Sequence, residues 1–124
     1  MDPAVTARHT ILVVDDEPHL RELYQTALRL RGFNVTTASD GLAALSSIEQ
    51  QRPSLVILDL NMPCVDGWSV LRELGAHDST RCIPVIVVTG ADVDTATLHA
   101  AAILQKPVFP EHMFPVIERQ LRAA

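Results

Sequence analysis

Short apolar runs alternate along this chain with stretches whose apolar residues recur every three or four positions. The runs are Ile11 to Val14, Leu55 to Leu58, Ile83 to Val88 and a shorter one near Ala102 to Leu104. A brief apolar run bounded by turn residues predicts a strand buried on both faces. Between the first two runs, Phe33, Val35 and Thr37 alternate with polar or small residues, as an edge strand does. Helical periods fill the gaps. Pro18 suits the opening turn of a helix, and Leu20, Leu23, Tyr24, Ala27 and Leu28 then share one face. Gly32 is the expected stop. Asp40-Gly41 opens a second helix with Leu42, Leu45 and Ile48 on its apolar side, and Pro53 closes the gap before the next strand. Asp66 is the expected N-cap of a third, which carries Gly67, Val70, Leu71 and Leu74 and ends near Gly75. A small-residue helix is expected after Gly90. The last helix carries Met113, Ile117 and Leu121. A start near His112 is favoured over Pro110, because it leaves Pro115 in the first turn, where a missing N–H costs little.

Strands alternating with helices predict an α/β fold: a doubly wound, five-stranded parallel sheet covered by helices on both faces. The expected strand order is the flavodoxin-like 2-1-3-4-5, in which the first and third strands meet at the switch point where open α/β sheets bind ligands. The length of 124 residues suits a single domain over 1–124, with its core at about 9–122. Pro84 is tolerable near the beginning of the fourth strand.

Composition narrows the function classes. Hydrophobic residues make up 48% of the chain, which is globular. No apolar run approaches the roughly 20 residues of a membrane span, and residues 1–10 carry no apolar signal region. The net charge of -5 gives no basic footprint, so direct nucleic-acid binding by this domain is not expected. Cys64 and Cys82 form neither a CxxC motif nor a disulfide framework, and a reducing cytoplasm is the default location. Cys64 has no basic neighbour in sequence to make it a reactive thiol. One detail is sharper. Of ten basic residues, Lys106 is the only lysine, directly before Pro107. A lysine is a compact point charge where an arginine is a planar fork, so this position is read as one that needs an ammonium.

The predicted strand ends carry the chemistry. Asp15 and Asp16 follow the first strand, Asp59 ends the third, Thr89 ends the fourth and Lys106 follows the fifth. In the proposed order these ends are adjacent. At ~5 Å and an effective dielectric of ~20, each carboxylate pair repels by about 3 kcal/mol, so the cluster calls for a cation. Oxygen donors without His or Cys favour Mg²⁺ over Zn²⁺. A metal-bound carboxylate beside a lysine and a hydroxyl can accept a phosphoryl group. Asp59 is the expected attacker, with Mg²⁺ bridging it to the phosphoryl oxygens and Lys106 and Thr89 each holding another oxygen.

Four runs together resemble the receiver domain of response regulators in bacterial two-component signalling, the CheY-like family. They are ILVVDDEP (Ile11 to Pro18), LDLNMP (Leu58 to Pro63) with Asp66-Gly67, Val88-Thr89 and Lys106-Pro107. Each run alone is weakly specific; the four in order at strand ends are strongly so, and the likeness spans nearly the whole chain. The resemblance implies that Asp59 takes phosphate from a histidine kinase or a histidine phosphotransfer protein. It implies Mg²⁺ held by Asp16, Asp59 and the backbone carbonyl of Asn61, with Asp15 acting through water, and a cis Lys106-Pro107 peptide. It also implies a switch rather than an enzyme: a phosphoprotein that signals to a downstream effector or an appended output domain.

The chain departs from the family pattern between Thr89 and Lys106. The interval is shorter than the family habit, and Ile103 and His99 stand where an aromatic and a glycine are usual. With ~3.6 residues per turn, the helix before the fifth strand is expected to be shortened to roughly two turns or irregular. In the family the threonine moves toward the phosphoryl group and the aromatic swings in behind it. Ile103 has no ring to swing, so the signal is expected to leave through the loop after Thr89 or a rearranged helix. The alternative is a degenerate receiver that binds partners without being phosphorylated. An aspartate-nucleophile phosphatase is disfavoured because Asn61 stands two residues after Asp59, where a second acid belongs. A flavin carrier is disfavoured because acids fill the switch-point mouth.

Overall fold

Parallel strands cannot be joined by tight turns, so each return between them crosses a face of the sheet. This one rule organises the computed structural model, which describes residues 2–60, 62, 66–90 and 100–123. The strands are β1 (Thr10–Val14), β2 (Asn34–Ala38), β3 (Leu55–Asp59), β4 (Val85–Thr89) and β5 (Ala102–Gln105). They form one all-parallel sheet in the order β2-β1-β3-β4-β5, as the alternation of runs predicts. The helices are α1 (Pro3–Thr6), α2 (Pro18–Leu30), α3 (Gly41–Gln50), α4 (Gly67–Ala76) and α5 (Pro110–Ala123). The helix expected after Gly90 falls on residues 91–99, and Asn61, Cys64 and His99 also lie outside the described residues.

The side chains of Ile11 to Val14 in β1 and of Leu55 to Asp59 in β3 are all buried, but successive ones point to opposite faces. Ile11, Val13, Leu55 and Ile57 therefore pack with Tyr24 and Leu28 of α2 and with Met113, Ile117 and Leu121 of α5. Leu12, Val14, Val56 and Leu58 pack on the other side with Ala44 and Ile48 of α3 and with Val70, Leu71 and Leu74 of α4. The two layers make the central strands among the least accessible parts of the molecule. Among the described residues, no helix is long and apolar enough to cross a membrane.

Local chemistry sets the element ends. Glu17 caps α2 by accepting from the backbone N–H of His19 and Leu20, Asp40 caps α3 through Ala43, and Asp66 caps α4 through Ser69. These backbone donors hold the Glu17 and Asp66 carboxyls below their ordinary range. At its far end, α2 closes with two crossed bonds, Phe33 N–H to Leu28 O and Gly32 N–H to Arg29 O. That double closure needs a residue in the left-handed region, and Gly32 supplies it with φ 97°.

Three expectations are corrected. α5 begins at Pro110 rather than near His112. Proline's fixed φ suits the first helical position, and the extra turn is kept although Pro115 then lies inside the helix and cannot donate to the turn before it. In α3 the buried stripe is Gly41, Ala44 and Ile48, while Leu42 points to solvent. In β2 it is Val35 and Ala38 that are buried; Thr37 is exposed. α1 was not anticipated from its pattern. Asn34 secures the chain just after it, with its side-chain amide donating to Ala7 O and its backbone N–H to His9 O.

The packing of α4 is tighter at its start than anywhere a side chain would fit. Gly67 donates its N–H to Leu60 O, and a Cβ there would stand 2.3 Å from Asp59 O and 2.5 Å from Leu60 Cα. Gly67→Ala is expected to destabilise the fold by about 3 kcal/mol or more through this backbone clash. Gly75→Ala, in the same helix with nothing within 4 Å of the added Cβ, is expected to stabilise by roughly 0.5–1 kcal/mol. Gly32→Ala is expected to cost about 1–2 kcal/mol, since it forces an L side chain into the left-handed region. Urea denaturation of the three variants beside wild type checks all three values.

Candidate functional site

The sheet brings the carboxyl ends of β1, β3 and β4 side by side. Val14 pairs with Leu58, Asp59 with Val88 and Thr89 with Gln105. Asp15 follows directly on Val14 and still belongs to the ladder, donating its N–H to Ala38 O. Asp15, Asp16 and Asp59 each offer a carboxylate oxygen, and these oxygens all lie within 4.8 Å of one another. Lys106 reaches the same point: its Nζ is 3.4 Å from Asp59 Oδ2 and 3.6 Å from Asp15 Oδ2. Thr89 is buried at the end of β4. Of the residues the sequence nominates, Asp15, Asp16, Asp59 and Lys106 are thus brought together, and Thr89 stands on the neighbouring strand end.

Each side chain is placed by its surroundings. Asp15 is only 2% exposed and Asp59 only 4%, so neither carboxylate is free to turn into solvent. Asp15 Oδ1 accepts from the Glu17 N–H, and the Asp15 carbonyl accepts from Arg21 on α2. The backbone of Asp59 is pressed by Gly67, which allows α4 to begin directly above it. Asp16 is exposed, at the solvent-facing rim of the cluster. Lys106 sits one step past β5, with its backbone N–H donating to Thr89 O at 2.8 Å. The Lys106-Pro107 peptide is cis.

Two participants do not stand out in the sequence. Gly67 reads as an ordinary helix start, yet the close approach to Asp59 depends on its lack of a side chain. Tyr24 reads as one more member of the α2 apolar stripe. In the fold it is buried, and its hydroxyl donates to Val108 O, two residues beyond Lys106, at 3.0 Å. Burial pushes its phenol above the ordinary range, and the nearby carboxylates of Asp15 and Asp59 push it further. The available signal was that it is the chain's only tyrosine, placed where an aliphatic residue would fill the stripe as well.

The donor set fits a hard cation. All three donors are carboxylate oxygens, with no His or Cys among the group, which suits Mg²⁺ rather than Zn²⁺. Asn61, whose carbonyl the family resemblance adds to the set, lies outside the described residues.

Comparisons with known proteins place the chain in a family. The chain is 39% identical to the transcriptional regulatory protein PrrA of Mycobacterium tuberculosis, over 98% of this chain and 53% of that protein. It is 43% identical to the probable transcriptional regulatory protein TcrX of the same organism, over 67% of this chain and 35% of that protein. The chain therefore spans about half the length of PrrA and less of TcrX. Among solved structures, a putative response regulator from Chloroflexus aurantiacus superposes with a TM-score of 0.83 at 28% identity, covering 92% of this chain and 98% of the other. The family profile described as the response regulator receiver domain matches residues 11–118. Sequence likeness along nearly the whole length and a shared backbone leave one assignment: the chain belongs to the response regulator receiver domain family.

Proposed function

We propose that this domain is a phosphorylation switch in which Asp59 accepts a phosphoryl group from a histidine kinase or a histidine phosphotransfer protein. The observation that carries the reading is the buried Asp59 carboxylate, set among Asp15 and Asp16 with the Lys106 ammonium 3.4 Å away. An Asp59 oxygen forms the new bond to phosphorus while the bond from phosphorus to the donor's imidazole nitrogen breaks, leaving an acyl phosphate. Asp16 and Asp59, with the Asn61 carbonyl that the family resemblance adds, would hold Mg²⁺, and Asp15 would act through water. When bound, the ion neutralises charge on the attacking and phosphoryl oxygens. Lys106 and Thr89 take the remaining phosphoryl oxygens and keep them in line. Positioning and charge neutralisation account for the step, so the domain acts as a switch on its own side chain and turns over no separate substrate.

Phosphorylation adds negative charge to a pocket that already holds three acids, and the new charge draws Lys106 and Thr89 to it. The relatives named above are transcriptional regulators by name, which supports an effector domain or protein in gene control as the recipient of the signal.

Incubation with a small phosphodonor and Mg²⁺ is expected to add one phosphoryl group, seen by intact-protein mass spectrometry. Asp59→Asn and removal of Mg²⁺ with a chelator are each expected to abolish the addition. Labelling that survives in Asp59→Asn would refute the assignment. A protein that binds Mg²⁺ but neither takes up phosphate nor binds fluoroberyllate would instead support the degenerate receiver.

A further inference from the structure

We infer that Tyr24 is a positioning residue for Lys106: its hydroxyl anchors the turn between β5 and α5 so that the ammonium is held between Asp15 and Asp59. This rests on the phosphoryl-transfer reading above. Lys106 has a long, flexible stem, so the place of its ammonium depends on how firmly its backbone is held. On the strand side the backbone is fixed by the Lys106 N–H to Thr89 O bond. On the far side Pro107 has no N–H to donate. One residue further on, Val108 O is gripped by Tyr24, a residue 84 positions away in sequence and buried in the same layer as α5. Val108 packs in the same apolar layer as Tyr24. The same helix also reaches the acids, since Arg21, one turn before Tyr24, donates to Asp15 O. α2 thus ties the two ends of the charge cluster, Asp15 and the Lys106 turn, to one rigid rod.

Tyr24→Phe keeps the ring and removes only the anchor. A loosened ammonium competes less well for Asp15 and Asp59 oxygens, so Mg²⁺ is expected to bind about threefold tighter by calorimetric titration. The same loosened ammonium meets the phosphoryl group less well, so the rate of labelling by a small phosphodonor at saturating Mg²⁺ is expected to fall about tenfold. A general loss of structure weakens both, and the opposite signs separate the two causes. Lys106→Ala is expected to tighten Mg²⁺ binding as well, and adding Tyr24→Phe to it is expected to change Mg²⁺ affinity no further, because the group being positioned is gone. The inference is overturned if Tyr24→Phe leaves both quantities at wild-type values, if both weaken together, or if its effect on Mg²⁺ persists in Lys106→Ala. Should wild type bind Mg²⁺ but take up no phosphoryl group, the phosphoryl-transfer reading fails, and the Mg²⁺ comparison still decides for Tyr24. Wild type that does neither overturns both.

Discussion

Like charge forced together is the constraint around which this molecule is built. Asp15 and Asp59 are buried, and with Asp16 they hold carboxylate oxygens within 4.8 Å of each other. At an effective dielectric of ~20, a pair of charges ~5 Å apart repels by about 3 kcal/mol, and one ammonium offsets only part of that. The cluster exists because strands β1 and β3 have no freedom to move apart. Their side chains are locked into apolar layers on both faces of the sheet, and their ladder runs up to the last residue before the acids. Hydrophobic burial holds in place an arrangement that electrostatics alone would disperse. A site kept in that condition favours a nearby positive charge, as the approach of Lys106 to both buried acids shows.

The two faces support the site in different ways. On one, α4 begins against the backbone of Asp59, with no room for a side chain at Gly67. Asp59 and α4 therefore meet backbone to backbone, and α4 carries the chain's single tryptophan, Trp68, 38% exposed. On the other, α2 grips both Asp15, through Arg21, and the turn after Lys106, through Tyr24. Ile103, which stands where the family usually has an aromatic, is half-buried against the layer of α3 and α4. It lies on the opposite side of the sheet from Tyr24.

Much of this was legible in the sequence because the signals were redundant. The runs at 11–14 and 55–58 are apolar throughout, so both faces had to be covered, and parallel pairing with the order 2-1-3-4-5 followed. Asp15, Asp16, Asp59 and Lys106 each stand at the end of such a run or beside a proline, and topology alone brings them together. What escaped was decided by tertiary contact. Leu42 has the right spacing for the core, but α3 buries the stripe of Gly41, Ala44 and Ile48, and Leu42 lies off it. The start of α5 at Pro110 could not be read from Pro115, because one lost helical bond is outweighed by the burial of Met113 and Ile117. The hydroxyl of Tyr24 has no periodic signature, since its partner is a backbone carbonyl far along the chain.

The bond from the Lys106 N–H to Thr89 O is a rung of the β4–β5 ladder. Neighbouring strands lie about 4.8 Å apart whatever joins them, so the lateral separation of these two residues is fixed by the sheet and not by the stretch that leads from Thr89 to β5. The stretch that leads from Thr89 to β5 can therefore vary in length while β5 stays paired and this spacing is kept. The backbone spacing of Thr89 and Lys106 is thus insulated from change in the surface that precedes β5.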